Sequence, residues 1–123
     1  MTEGPLISVL DDDVSVRDSL PSLLRQCGYS ARAFSSAEQF LASDCIENTR
    51  GLILDVGMPG MSGPELQLEL KRRASGIPII FITAQSDVTL GPRLLSTGAA
   101  GFLLKPFSES ALLDALDTAV GSN

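Results

Sequence analysis

Residues 78–83 read Pro-Ile-Ile-Phe-Ile-Thr, the most apolar short stretch of the chain. A run of this length without polar alternation is typical of a strand that is covered on both faces. Strands of that kind belong to parallel sheets, which helices cover on both sides. The stretch therefore predicts a central strand of an α/β domain.

Apolar runs and helical patterns alternate on both sides of this strand. Four more strands are predicted, at residues 6–10, 29–34, 51–55 and 101–104. Helical spacing indicates five helices. The first two run over about residues 14–27 and 36–43, the third begins at about residue 64, the fourth ends at residue 98, and the fifth follows residue 108. Five strand–helix units with short connections indicate a doubly wound, five-stranded parallel sheet. The length of 123 residues fits one domain, because domains cluster at about 100–150 residues.

Local signals mark several helix ends. Gly28 is a typical stop for the first helix. The stretch 35–38, Ser-Ser-Ala-Glu, has the form of a capping box for the second helix. Pro64 suits the first turn of the third helix, and Ser108 caps the last one.

Composition excludes several classes of function. Nine Lys and Arg residues face fifteen Asp and Glu residues, which gives a net charge of −6. Because nucleic-acid binding through phosphates needs basic residues, we expect none by this domain. The chain has no histidine, which excludes Ser-His-Asp and Cys-His catalysis, His-ligated zinc and a phosphohistidine.

The termini and the cysteines suggest where the protein resides. No apolar run approaches the ~20 residues of a membrane span, and no basic region precedes an apolar one at the N-terminus. These features predict a cytoplasmic protein that does not associate with membranes. Cys27 and Cys45 lack CxxC spacing, so reduced, half-buried cysteines are expected.

The residues that carry chemistry follow the strands. In an open parallel sheet, sites form beyond the carboxyl ends of the strands, where the strand order switches. Six polar residues stand at these ends in the sequence: Asp11, Asp12, Asp13, Asp55, Thr83 and Lys105. Because they follow four strands of one sheet, we expect them to converge on one edge.

Asp11, Asp12 and Asp55 would bring three carboxylates together. Like charges at that distance raise each other's pKa or require a cation. The set is compact and contains only oxygen ligands, which suits Mg²⁺ with waters and a phosphate. The run 11–13 could instead cap the first helix, and for Asp13 this is the better interpretation. It does not account for Asp55, which ends a buried strand.

Lys105 and Thr83 extend the set toward phosphate chemistry. A lysine ammonium facing an acidic pocket can pair with Asp55 and then with an anion attached to it. The Thr83 hydroxyl can donate to a phosphoryl oxygen. Together these residues indicate an Asp that attacks a phosphoryl donor while Mg²⁺ and lysine neutralise the phosphoryl oxygens and threonine responds to the new charge. The sequence has no Gly-rich phosphate loop.

Four segments in order carry a resemblance to a known family. They are residues 9–13 (Val-Leu-Asp-Asp-Asp), 54–63 (Leu-Asp-Val-Gly-Met-Pro-Gly-Met-Ser-Gly), 82–84 (Ile-Thr-Ala) and 105–107 (Lys-Pro-Phe). The chain resembles the receiver domain of two-component response regulators over about residues 6–120. The resemblance implies the flavodoxin-like (βα)5 fold with the family's known strand order, 2-1-3-4-5. It also implies that residues 1–123 form one receiver domain that acts as a phosphorylation switch in signal transduction.

Three further segments are similar to the FixJ-type branch of that family. They are residues 16–17 (Val-Arg), 36–41 (Ser-Ala-Glu-Gln-Phe-Leu) and 101–107 (Gly-Phe-Leu-Leu-Lys-Pro-Phe). Regulators of this branch usually continue into a LuxR-type helix-turn-helix domain, which binds DNA and controls transcription. Residues 1–123 contain no such output domain, so we expect a single-domain regulator or one part of a longer regulator.

The resemblance assigns roles at the site position by position. Asp55 matches the phosphoacceptor, Asp12 the acid that binds Mg²⁺ directly, and Asp11 the acid that acts through water. The Gly57 carbonyl matches a further ligand of the metal. The implied phosphoryl donor is a sensor histidine kinase. The domain would catalyse only its own phosphorylation and dephosphorylation, so it is not expected to be an enzyme in other respects.

Three positions match the residues that respond to phosphorylation. Thr83 matches the switch hydroxyl, Lys105 the phosphate partner, and Phe102 the aromatic that moves inward on activation. For Phe102, a plain core or surface aromatic is the alternative. The resemblance also implies a possible homodimer through the face of the fourth helix and fifth strand.

Rival functions differ in what they need from the sequence. A receiver-fold interaction module that works without phosphorylation is the main alternative, and the intact set of polar residues argues against it. A haloacid-dehalogenase-type phosphatase needs Asp-x-Asp, whereas residues 55–57 read Asp-Val-Gly. A flavodoxin needs a Ser/Thr-rich phosphate loop where this chain has acids.

Some features depart from the family's pattern. Pro21 falls inside the first helix, where it removes one hydrogen bond and is expected to kink the chain. Gly57 supplies no side chain over the acyl phosphate, and Gln85 stands at a position that often tunes hydrolysis. Gly91–Pro92 interrupts the fourth helix, at a cost of ~3 kcal/mol or more in a helix interior. A late start is therefore expected, with the proline in the first turn and residues 87–91 as an irregular loop.

Overall fold

Alternating strands and helices build one parallel sheet in this computed structural model, which describes residues 4–84 and 89–121. The elements are β1 Leu6–Leu10, α1 Val14–Gln26, β2 Ser30–Phe34, α2 Ala37–Leu41, β3 Thr49–Asp55, α3 Gly63–Arg72, β4 Ile79–Thr83, α4 Leu90–Ser96, β5 Gly101–Leu104 and α5 Glu109–Val120. All strand pairs are parallel, in the order β2-β1-β3-β4-β5. The predicted flavodoxin-like α/β fold is confirmed.

Two hydrophobic cores cover the sheet, because successive residues of a strand point to opposite faces. Ile80 and Ile82 of β4 pack in one core with Leu112 of α5. Phe81 packs in the other core with Leu66 of α3. Every residue of β4 is buried, as its apolar sequence predicts. β4 is an inner strand between β3 and β5, while β3 occupies the middle of the sheet.

The first helix, α1, is capped by an aspartate and contains a proline. Asp13 is the N-cap, and its Oδ1 accepts a hydrogen bond from Ser15 N at 2.9 Å, which confirms the capping interpretation of this acid. Pro21 lies inside the unbroken helix, and it is buried together with Leu20 and Leu24. Burial of the apolar ring offsets the hydrogen bond that proline cannot make. The predicted kink stays a prediction.

The second helix is capped one residue later than the Ser35–Glu38 box predicts. Ser36 is the N-cap, and its Oγ accepts a hydrogen bond from Gln39 N at 3.0 Å. Gln39 Oε1 in turn accepts one from Ser35 N at 2.8 Å. The predicted box is therefore wrong, because Ser36 and Gln39 perform the capping and leave the Glu38 carboxylate to another partner.

The fourth helix starts late, with Pro92 in its first turn, as predicted. Residue Gly91, however, is helical and buried, so the prediction of a loop at this position is wrong. The helix can include this turn because an N–H in the first turn has no intrahelical partner, so proline loses no bond there. Gln85 and the predicted loop residues Asp87 and Val88 lie outside the described residues.

Candidate functional site

The sheet order brings the carboxyl ends of four strands to one edge. β1 leads into Asp11 and Asp12, β3 ends on Asp55, β4 ends on Thr83, and β5 leads into Lys105. β1 and β3 are neighbours, and β4 and β5 follow β3 in turn. The carboxylate oxygens that the three acids offer lie within 4.8 Å of one another. The predicted convergence of these acids is confirmed.

Asp11 is the most deeply buried acid of the site, with 0% of its surface exposed. Its Oδ1 accepts a hydrogen bond from Asp13 N at 2.9 Å. Its Oδ2 lies 2.7 Å from Lys105 Nζ, but in a direction that a hydrogen bond does not favour, so the contact is an ion pair. Arg17 Nη1 donates to the Asp11 carbonyl oxygen at 2.9 Å. These contacts fix the loop after β1 against the start of α1.

The Lys105 ammonium lies between two acids. Its Nζ is 2.7 Å from Asp11 Oδ2 and 3.8 Å from Asp55 Oδ1. Burial lowers the pKa of Lys105, but the contact with Asp11 and the charge of Asp55 outweigh this effect, and the net pKa is raised. The side chain therefore remains a cation at neutral pH, in a position to meet negative charge that develops on Asp55.

Asp55 has a pKa of about 6, raised from its ordinary value of 3.8. Burial is the largest cause, followed by the negative charge of Asp11, and Asp12 adds to the repulsion. Lys105 and a hydrogen bond from the Gly57 backbone lower the pKa, but they do not compensate. Above about pH 6 the Asp55 carboxylate is ionised in spite of the repulsion from its acidic neighbours. A bound cation would relieve this repulsion.

The acidic cluster fits Mg²⁺ on the chemistry of its ligands. All three side chains offer oxygen, which Mg²⁺ prefers. Asp11 Oδ2 is buried, and no donor among residues 4–84 and 89–121 is aligned for a hydrogen bond to it. Asp12 is exposed, so a cation can reach the cluster from solvent. The edge of the sheet therefore contains a site that can bind a metal.

Thr83 and Phe102 extend from this cluster toward α4. Thr83 is 2% exposed, and its carbonyl oxygen accepts a hydrogen bond from Lys105 N at 2.8 Å. Phe102 lies on β5 beside Phe81, half-buried against the core under α2–α4. A Cβ at Gly91 would lie 2.9 Å from Phe102 Cδ2, so the ring occupies the space that a side chain at Gly91 would need.

Two contributors were outside the predicted set of site residues. Arg17 was visible only as part of a branch-specific segment, and its bond to the Asp11 carbonyl spans six residues. Gly91 was visible only as a helix breaker, whereas in the structure the Phe102 ring occupies the space that a side chain at this position would need. An isolated glycine within a helical sequence pattern is the signal that could have suggested a close packing contact here.

Comparison with known sequences agrees with the geometry. Residues 7–117 match the family model of the response regulator receiver domain. The chain belongs to this family. Nodulation protein W of Bradyrhizobium diazoefficiens is 44% identical over 111 residues, which cover 90% of this chain and 49% of that protein. The transcriptional regulatory protein FixJ of Azorhizobium caulinodans is 37% identical over 121 residues, 98% of this chain and 57% of that protein. The predicted relation to the FixJ-type branch is confirmed.

Solved receiver structures share the fold. The structure of the response regulator StyR has a TM-score of 0.87 and 46% identity, covering 95% of this chain and 59% of that one. The structure of FixJ-N has a TM-score of 0.84 and 33% identity, covering 100% of this chain and 98% of that one. The receiver chain spans about half the length of the first curated relatives that it matches.

Two further findings concern membrane-spanning helices and the cysteine thiols. Within the part of the chain that the structure describes, no helix is both long and apolar enough to cross a bilayer. Cys27 and Cys45 form no disulfide in the structure; Cys27 is half-buried as predicted, whereas Cys45 is buried, so the prediction is wrong on that point.

Proposed function

We propose that this receiver accepts a phosphoryl group from a sensor histidine kinase onto Asp55, in a reaction that depends on Mg²⁺. The observation that carries the proposal is the position of Asp55. It has a lysine ammonium 3.8 Å from one carboxylate oxygen and two further acids within 4.8 Å. A nucleophilic carboxylate, a cation for the phosphoryl oxygens and a site for a metal are what such a transfer needs.

Each residue of the site has a distinct task in the proposed transfer. An oxygen of ionised Asp55 attacks the phosphorus, the bond from phosphorus to the kinase histidine breaks, and its electron pair remains on the histidine nitrogen. Lys105 neutralises a phosphoryl oxygen. Asp12, Asp11, Asp55 and the Gly57 carbonyl would hold Mg²⁺, with Asp11 acting through water. When bound, the metal supplies positive charge to the phosphoryl oxygens.

The proposed switch runs from Thr83 to the α4–β5 surface. The Thr83 hydroxyl would donate to the phosphoryl oxygen, and Phe102 would move inward as Thr83 moves. A change at Phe102 reaches α4 through Gly91, because the two are in contact. We propose that the result is homodimerisation through α4 and β5, and that in a longer chain it controls transcription through a DNA-binding domain. The receiver itself would not bind nucleic acid, would act in the cytoplasm, and would catalyse only its own phosphorylation and dephosphorylation.

Intact mass tests the acceptor directly. The protein is incubated with acetyl phosphate and Mg²⁺, and we expect the addition of one phosphoryl group. Asp55→Asn should abolish the addition, whereas Asp44→Asn, an exposed acid outside the site, should leave it unchanged. A wild-type protein that gains no phosphoryl group, with this donor or from a histidine kinase, would favour the phosphorylation-independent interaction module instead. An unchanged adduct on the Asp55→Asn variant would place the chemistry elsewhere.

A further inference from the structure

Glu38 of α2 reaches across to the loop that follows β3. Its Oε2 accepts a hydrogen bond from Met61 N at 3.0 Å, although 23 residues separate the two. The same carboxylate lies against Gly60, where a Cβ would stand 2.9 Å from Oε2 and 3.4 Å from Oε1. Gly60 has a φ of +74°, which side chains rarely adopt. The loop therefore turns at a glycine whose φ disfavours any side chain, directly against the carboxylate end of Glu38.

The loop in question, residues 56–62, begins immediately after Asp55. Its ends are fixed by backbone hydrogen bonds from Val56 N to Ile82 O at 3.0 Å and from Gly63 N to Val56 O at 3.1 Å. Met58 anchors its first half in the core, with 5% of its surface exposed. Glu38 holds the second half through Gly60 and Met61.

Gly57 is the part of this loop that meets the site. Its backbone lies near enough to the Asp55 carboxylate to lower the pKa of that group. Gly57 is exposed, and a Cβ there would have no neighbour within 4 Å, so side-chain packing does not determine its position. Its backbone lies between Val56, whose N–H donates to Ile82 O, and the buried Met58, and the turn at Gly60 and Met61 that Glu38 contacts closes the loop beyond Met58.

Helix α2 provides a rigid base for Glu38. Ser36 caps the helix, while Ala37 and Phe40 are buried beneath it. Phe40 also packs edge-on against Phe34 of β2, with ring centroids 5.3 Å apart. Because Ala37 and Phe40 hold the helix in the core, the backbone at Glu38 is fixed, and its exposed side chain reaches the loop from there.

We infer that Glu38 is a positioning residue, which holds the loop 56–62 so that Gly57 faces Asp55 and the metal site. The inference rests on the proposed function for the role of the metal. Its structural part, the contact of Glu38 with the loop, does not. The Glu38 carboxylate accepts from Met61 N and lies against Gly60, so it would act on the site through the backbone of these two residues.

The first experiment uses the metal-free protein and compares Glu38→Ala with Glu38→Gln by amide hydrogen exchange. Both variants remove the same charge, but glutamine keeps an oxygen that can accept from Met61 N. We expect the Met61 amide to exchange roughly 3- to 10-fold faster in the alanine variant and to stay close to wild type in the glutamine variant. Equal exchange in all three proteins would overturn the inference.

The second experiment measures Mg²⁺ affinity from the shift of the Gly57 amide resonance. We expect the alanine variant to bind Mg²⁺ roughly 3-fold more weakly than the glutamine variant, because both lack the charge and only one lacks the contact. Glu47→Ala, an exposed acid on the loop before β3, is the control for a change of net charge. A glutamine variant as weak as the alanine variant would show that charge, and not position, matters.

Gly60→Ala tests the contact from the other side. The new Cβ meets Glu38 and requires an unfavourable φ, so we expect Mg²⁺ binding to weaken. In the Glu38→Ala background the clash is gone, and the same substitution should cost less; strictly additive effects would contradict the inference. Failure of the proposed function would show separately, as a wild-type protein that acquires no phosphoryl group while its Met61 amide still responds to Glu38.

Discussion

Lys105 Nζ lies 2.7 Å from Asp11 Oδ2, closer than its 3.8 Å distance from Asp55. The ammonium is therefore held mainly by an acid of the proposed metal cluster and not by the proposed acceptor. A phosphoryl group on Asp55 would bring additional negative charge and strong acceptor oxygens, and would compete with Asp11 for the ammonium. The Lys105 side chain can exchange one partner for the other with little movement.

Removing this ammonium should impair transfer more than folding. In Lys105→Ala, the pKa of Asp55 should rise further above about 6, because the charge of Lys105 lowers it. Phosphorylation by acetyl phosphate should slow by roughly 100-fold, as expected for loss of one group that stabilises developing charge. Mass spectrometry gives the rate and carboxyl NMR the pKa. Lys71→Ala, at the chain's other lysine, is the matched control, and an equal effect there would refute the assignment.

The stability of the metal-free protein should depend on pH through Asp55. Its pKa is about 6 in the folded protein against an ordinary 3.8, so the folded state keeps a proton that the unfolded chain has released. Stability contributed by the protonated form is present at low pH and is lost as pH rises through about 6. Asp55→Asn, which stays neutral, should melt at a higher temperature than wild type near pH 7, and the difference should disappear toward pH 4. A difference that does not change with pH would contradict the shift.

Asp12 should matter for the metal and not for the fold. Asp12→Ala removes one of three carboxylates that repel one another, so the variant should be as stable as wild type or more stable without metal. Its affinity for Mg²⁺ should fall, and phosphorylation at low Mg²⁺ should slow. Calorimetric titration and thermal melts measure the two effects. Strong destabilisation in metal-free buffer would instead support a structural, helix-capping role for this acid.

The ring of Phe102 should make glycine the only well-tolerated residue at position 91. Alanine is favoured over glycine in helices by ~1 kcal/mol, but here its Cβ would lie 2.9 Å from Cδ2 of the ring. Because overpacking typically costs about 1–3 kcal/mol, we expect Gly91→Ala to destabilise the protein by about 1 kcal/mol. In a Phe102→Ala background the same change should stabilise it by a similar amount. Urea denaturation of the four proteins gives both values, and stabilisation in both backgrounds would refute the contact.

Local patterns in the sequence were sufficient for much of the fold. Apolar runs located every strand to within two residues, because burial on both faces leaves a continuous signal. Ser108 and Pro64 marked helix starts correctly, since capping and the first turn involve only nearby residues. The predicted Ser35–Glu38 capping box was wrong because either of two neighbouring serines can cap the second helix. Ser36 is the cap, and this arrangement leaves Glu38 free to accept from Met61 N.

The sequence by itself determined which strand ends bear Asp11, Asp12, Asp55, Thr83 and Lys105, because strands and their ends follow from local periodicity. The tertiary structure alone decided that Lys105 pairs more closely with Asp11 than with Asp55, that Gly91 lies against Phe102, and that Glu38 holds Met61. These contacts join residues far apart in the chain. Their distances depend on how helices pack on the sheet to within an ångström, and no local pattern encodes that packing.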